Sequence, residues 1–274
     1  MPNEQQSEGS KLEPQQYAGL PDDWARATEA QRLSLARRLP LRRNTQTLLK
    51  YLEDTRVTGT STQGNLPLKA VREIAVRFID PPALERRAGG TVYPVRSEQD
   101  LRLLYFVRIL SAGGGLLQGG PGRRWKVTPL GEWYLAAGPQ EQVWHLFCSW
   151  WVAVDWSQVW GYALEAASLE RLFRRQVLES LLALPVDAQR SFANYAQKLI
   201  DQSAINPPVK DEDLAGLLLQ TSVEKLVVDP LAAFGVLKRR YQPSSLLGER
   251  NPELAAIQIT GFGRSLLEAI TEHL

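Results

Sequence analysis

The chain has 274 residues, 44 % of them hydrophobic, with a net charge of +2, one cysteine and two histidines. That length suits two domains of ordinary size, the near-neutral charge excludes a global field that would draw in nucleic acid, and Cys148 alone excludes an internal disulfide. No apolar run reaches the roughly 18 residues that span a bilayer, and the start lacks a signal-peptide pattern, so a cytoplasmic protein with no membrane contact is expected.

In chain order, residues 1–20 are polar, contain Pro2 and Pro14, and predict a disordered tail. Thr28 with Gln31 spells a capping box for a helix carrying Leu33, Leu35, Ala36 and Leu39. Arg37, Arg38, Arg42 and Arg43 cluster around Pro40 and read as a solvated helix end. Asn44 or Thr45 is expected to cap a short helix through Leu48, Leu49 and Leu52, and the glycine-bearing, β-branched run after it suits a short strand and a turn. Pro67 opens a helix whose Val71, Ile74, Ala75 and Phe78 share one face. The stretch from Asp80 to Arg96, with Arg86, Arg87 and Gly89-Gly90, predicts an exposed, mobile insertion.

Ser97 with Asp100 then starts a helix with two apolar stripes, Leu103, Phe106, Val107 and Leu110 on one and Leu101, Leu104 and Tyr105 on the other. A helix apolar over so much of its circumference is buried on more than one side. Gly113 to Gly115 stop it. Leu116 and Leu117 begin a strand, GGPGRR forms a hairpin tip, Trp125 to Val127 return, and Thr128 with Pro129 caps a helix through Leu130, Trp133 and Tyr134.

Residues 44–135 thus give helix, strand, helix, helix, strand, hairpin tip, strand, helix. This order resembles the winged helix-turn-helix superfamily, and the ending LLQGGPGRRWKVTPLGEWYL is similar to that of many bacterial winged-helix proteins. The Gly64-to-Pro67 turn before the second helix also looks like one shared by uncharacterised bacterial proteins. The resemblance covers about a third of the chain and implies a fold, not an activity.

Residues 139–162 are rich in aromatics. Stacking of bases on tryptophans is one reading. Core spacing and the scarcity of interleaved cations favour packing or a partner-binding face, with Trp144, Trp150, Trp151, Trp156 and Trp160 as its residues. His145 and Cys148 lack a second ligand pair, so no metal site and no cofactor is expected. Residues 168–184 and 187–203 predict amphipathic helices, the second capped by Asp187. Leu214, Leu217 and Leu218 predict a short helix, and Thr221 with Glu224 a capping box for the next.

A repeat then emerges: Gly235 precedes VLKRRY as Gly115 precedes LLQ, and Ile259-Thr260 with Gly263 and Leu267 matches Val127-Thr128 with Gly131 and Leu135. The second hairpin carries an insertion of roughly a dozen residues. The expected fold is therefore mainly α with small β-hairpin wings (α+β), organised as a tail (1–20), a winged-helix domain (21–138), a helical, Trp-rich connector (139–186) and a second winged-helix domain (187–274).

For function, the wings place Arg123, Arg124 and Lys126, and Lys238, Arg239 and Arg240, where a phosphate backbone would run. Strand alternation lets two of each three share a face. Gln99 and Arg102 on the third helix, and Ser222 and Lys225 in the second copy, are the candidate groove residues. Double-stranded DNA is the expected partner. The alternative is a protein-interaction module that holds a partner chain or a second copy, as tandem winged-helix subunits do in bacterial chromosome-condensing complexes. No phosphate loop, nucleophile elbow or histidine constellation is present, so no catalysis is expected.

Overall fold

The structure is a computed structural model and describes residues 29–88, 91–159, 167–203, 212–244, 248–271 and 273. The expected tail, Thr28, Gly89-Gly90 and Trp160 lie outside the described residues. The chain is mostly helical, with two three-stranded antiparallel sheets and one two-stranded hairpin.

The first half runs α1 (Glu29–Arg38), α2 (Pro40–Asp54), β1 (Val57–Thr58), α3 (Leu68–Ala75), β2 (Glu85–Ala88), β3 (Thr91–Pro94), α4 (Arg102–Gly113), β4 (Leu117–Gly120), β5 (Arg123–Val127) and α5 (Pro129–Ala136). Helix α2 starts at Pro40, whose missing N–H costs nothing in the first turn, rather than at Asn44. Asn44 is instead buried, and its side-chain oxygen accepts from the Ile79 amide at 2.7 Å, beyond the end of α3. Arg37, Arg38 and Arg43 are exposed, but Arg42 is buried: it donates to the carbonyls of Ala36 and Arg37 at the end of α1 and to Gln142 at 2.6 Å. The stretch expected as a mobile insertion contains the hairpin β2–β3, whose register runs from Glu85 opposite Pro94 to Ala88 opposite Thr91.

Next come α6 (Pro139–Cys148), a π turn over Ser149–Ala153 and a 3₁₀ turn over Trp156–Gln158. The second half runs α7 (Ala167–Leu182), β6 (Arg190–Ser191), α8 (Phe192–Ser203), α9 (Glu212–Val223), a π turn over Glu224–Val228, α10 (Asp229–Ala233), β7 (Leu237–Ser244), β8 (Gly248–Ile259) and α11 (Gly261–Thr271). Asp187 is not a helix cap. It sits at φ 59° with its amide on the Ile259 carbonyl, and the chain forms β6 before α8 begins. Thr221 is not a cap either: α9 continues through it, and its hydroxyl donates to Leu217 four residues back. The helix widens into the π turn just ahead of Pro230, whose ring an ordinary helix interior would not accept.

The two sheets have the same strand order, β1-β5-β4 and β6-β8-β7. The same hydrogen bonds hold both. Gly115 and Gly235 end the preceding helices at φ 73° and 71°, and the next residue's amide, Leu116 or Val236, reaches five residues back to Ser111 or Leu231 at 2.8 Å. This is the glycine-terminated helix end that a left-handed residue permits. Thr128 donates to the Gly115 carbonyl at 2.6 Å and Thr260 to that of Gly235 at 2.8 Å, while each hydroxyl also accepts from the amide three residues on, Gly131 or Gly263. A methyl on Gly131 or Gly263 would run into the carbonyl of Leu116 or Val236.

One continuous core joins the halves. Helix α6 lies between the two equivalent turns: His145 Nε2 bonds the Gly114 carbonyl at 3.0 Å, and Phe147 meets Phe234 edge-on at 5.3 Å. Trp150 stacks on Trp156 at 4.7 Å, Phe106 of α4 packs on Trp150, and Phe173 of α7 packs on Trp156. The Arg174 guanidinium lies over Trp156 and donates to the carbonyls of Trp151 and Val154. Of the two readings of the tryptophans, packing therefore holds and the partner face is corrected. Trp144, Trp150, Trp151 and Trp156 are at most 2 % exposed and are the cement between the halves.

Candidate nucleic-acid interface

The first hairpin turns through Pro121 and Gly122. Strand alternation sends Trp125 inward, where its indole N–H donates to the Gly64 carbonyl at 2.8 Å. Gly64, at φ 70°, abuts the backbone of Gly120 so closely that no Cβ would fit. The amides of Gly59 and Gly122 tie the same loop to Arg123 and Thr60. A hairpin whose base and tip are both pinned to the loop before α3 is a rigid arm.

With Trp125 inward, Arg124 and Lys126 fall on the opposite face, across from Thr58 and Gln118. Arg123 lies beside the tip, opposite Gly120. All three are exposed, and among the described residues none of their side chains makes a hydrogen bond or ion pair.

The second hairpin is longer, and its cations are differently placed. Lys238, opposite Gln258, is exposed and likewise without a side-chain partner among the described residues. Arg240 donates to Gln189 at 3.1 Å. Arg239, on the other face of the strand, is held by Asp229 of α10 at 2.6 Å and lies over the Tyr241 ring.

The helix candidates divide. Gln99 and Arg102 are exposed. Ser222 is buried, with its hydroxyl donating to Leu218, so it faces no groove. Lys225 is bound to Glu224 at 3.0 Å and to Asp229 at 2.9 Å. Burial alone would lower its pKa, but these two carboxylates outweigh that and leave it above the usual lysine value. Both second-copy groove residues are thus corrected.

Sequence reasoning missed a buried network that stiffens this region. Glu98 accepts from Arg108 at 2.6 Å and from the Leu66 amide at 2.7 Å, and Arg108 reaches Asn65 at 3.1 Å. The Arg108 guanidinium also lies 5.2 Å from the ring centres of Tyr105 and Trp125. Burial pushes the Glu98 carboxyl up while Arg108 opposes the shift. The available signal was the Gly-Asn-Leu-Pro turn itself, whose asparagine, leucine amide and glycine each serve this cluster.

A cleft of about 610 Å³ separates α4 from the second half and gathers Gln99 and Arg102 with Lys225, Asp229 and Arg239. Among the described residues no group of three or more His, Cys, Asp or Glu side chains is placed to hold a metal, and no helix is long and apolar enough to cross a membrane. His145 and Cys148 are both core groups: burial holds the imidazole down at about 4 and pushes the thiol up. Neither a family model, nor a curated protein, nor a solved structure matches this chain.

Proposed function

We propose that this chain is a non-enzymatic, double-stranded-DNA-binding protein of two winged-helix units that grips phosphate chiefly through the hairpin of the first. With the β2–β3 hairpin of the first and α10 of the second as additions, the shared order helix, strand, helix, helix, strand, strand, with the first strand beside the last, supports a unit over 40–127 and a second over 167–259. The second unit then opens at α7, ahead of residue 187 where the sequence put its start. The observation that carries the reading is the set of exposed wing cations, Arg123, Arg124, Lys126 and Lys238, with no side-chain partner among the described residues. Cations that satisfy nothing within the chain are available to phosphate, and each phosphate neutralised releases counterions. Helix α4 contributes little base reading, because Arg108 is buried and, of the two candidates, Arg102 alone lies on α4 while Gln99 stands in the 3₁₀ turn just ahead of it.

The test is fluorescence anisotropy of a labelled random duplex with the full chain. Binding is expected that weakens steeply between about 50 and 200 mM salt; absence of binding at the lower salt would remove the reading. A second reading, a protein-interaction module, is favoured by Leu214 and Leu217 of α9, which are 46 % and 57 % exposed one helical turn apart. It predicts concentration-dependent self-association, or capture of a partner, that Leu217→Glu abolishes.

A further inference from the structure

The outward face of the first sheet holds a cation that the hairpin does not supply. Arg56 follows the end of α2 and immediately precedes β1, and Thr55 before it is already extended, at φ −121° and ψ 130°. Strand β1 pairs Val57 with Trp125 and Thr58 with Arg124. Continued by one residue, that register sets Arg56 opposite Lys126, and alternation puts it on the side of Thr58, away from buried Val57. Arg56 and Lys126 then stand about 5 Å apart at Cβ, with Arg124 about 7 Å further along β5.

Like charges directly opposite one another in a sheet are destabilising. Here three cations share one face and nothing in the described chain offsets them: the side chains of Arg56, Arg124 and Lys126 are exposed and make no hydrogen bond or ion pair among the described residues. Glu53 and Asp54, the carboxylates nearest to Arg56 in sequence, bind none of the three. The second unit fills the same position differently. Ile257 precedes Thr260 as Trp125 precedes Thr128, and Ile257 pairs with Arg190, so Gln189 stands where Arg56 does. Gln189 accepts from Arg240, which lies opposite Ala256, so a side chain at this position reaches the outward face. There it occupies a cation; in the first unit it adds one.

We propose that the outward face of β1–β5–β4 is a phosphodiester-backbone site, in which Arg56 joins Arg124 and Lys126 to hold a duplex backbone laid across β1 and β5. The inference rests on the DNA-binding reading above and adds to it a residue outside the hairpin. The side chains that the register places among the cations are Thr58 and Gln118, a hydroxyl and an amide, both exposed. Such a face suits an extended polyanion and gives an apolar partner nothing to bury against.

The test is the salt dependence of duplex binding by the full chain. Arg56→Ala is expected to reduce the slope of log Kobs against log salt by about one, as Lys126→Ala does, and to weaken AT-rich and GC-rich duplexes alike, because a phosphate contact carries no sequence. Arg43→Ala removes an exposed cation roughly 16 Å from the end of α2 that leads to Arg56, and it is expected to leave the slope unchanged. Arg56→Glu sets a carboxylate opposite Lys126. It is expected to reduce the slope by more than alanine does while raising the midpoint of urea unfolding, the reverse of what a purely structural Arg56 would give. If the parent chain binds and Arg56→Ala leaves its slope unchanged, the inference fails and the DNA reading stands; if the parent binds no duplex at low salt, both fail. An equal reduction with Arg43→Ala, or a urea midpoint lowered by Arg56→Glu, would also overturn the inference.

Discussion

In the first hairpin Arg123, Arg124 and Lys126 are exposed and unpartnered among the described residues, whereas in strand β7 of the second Arg239 is tied to Asp229 and Arg240 to Gln189, which leaves Lys238 of that strand. Both hairpins hang from the same frame of glycine, threonine and glycine. The cations even exchange strands: Lys126 stands across from Gln118, and in the second hairpin the lysine is Lys238, across from Gln258. Each hairpin carries a run of cations, Arg123, Arg124 and Lys126 or Lys238, Arg239 and Arg240, but their availability is decided by neighbouring segments, Asp229 of α10 and Gln189 ahead of β6 in the second. Helix α10 opens with Asp229 within reach of β7, whereas α4 contains no carboxylate to offer β5, and Glu98 in the 3₁₀ turn ahead of α4 is consumed by Arg108. A shared frame can thus carry one hairpin open to a polyanion and another largely closed to it.

The shared frame is the part that breaks hardest. Gly131→Ala and Gly263→Ala drive a methyl into equivalent carbonyls, so each is expected to cost about 3 kcal/mol or more, by similar amounts, in urea unfolding. A large cost at one position and none at the other would deny the equivalence.

The halves should differ in their response to acid. His145 touches the Gly114 turn of the first unit, while the equivalent turn of the second meets Phe147 through Phe234. The folded imidazole titrates at about 4 and the unfolded one at 6.5, so the unfolded chain binds the extra proton between those values. The stability that the neutral ring contributes is full above pH 6.5 and declines by about 3 kcal/mol in all as pH falls to 4. His145→Gln should flatten that part of the pH profile of unfolding; an unchanged profile would rule the account out.

Smaller effects concern the closed hairpin. Asp229→Asn removes the charge that holds Arg239 and Lys225, so duplex binding should tighten and its salt slope steepen by about one. Gln189→Ala releases Arg240 from a neutral amide only, and the slope should change by less than about half as much. Anisotropy titrations over a salt series read both.

Much of the frame was legible in sequence because it rests on local rules. Thr128 and Thr260 cap helices, Gly115 and Gly235 end them, and the alternation around Trp125 sets which cations face out. Three kinds of feature were not legible. Asp187 and Thr221 have the composition of caps, yet long-range pairing of Ser191 with Ala256 and the continuation of α9 assign them other roles. Ser222 and Lys225 look like groove residues until burial and Asp229 are known. The tryptophans, which the sequence left open between packing and a partner-binding face, are the core, because both halves bring an aromatic, Phe106 and Phe173, to the same cluster. Helix periodicity identifies an apolar face without saying which neighbour covers it.

The most direct measurement is the slope of log Kobs against log salt for a random duplex, taken for the parent chain and two triple variants. Replacing Arg123, Arg124 and Lys126 by alanine is expected to reduce the slope by about two to three, and replacing Lys238, Arg239 and Arg240 by about one. Equal reductions from the two hairpins, or a parent slope that neither variant changes, would contradict the account.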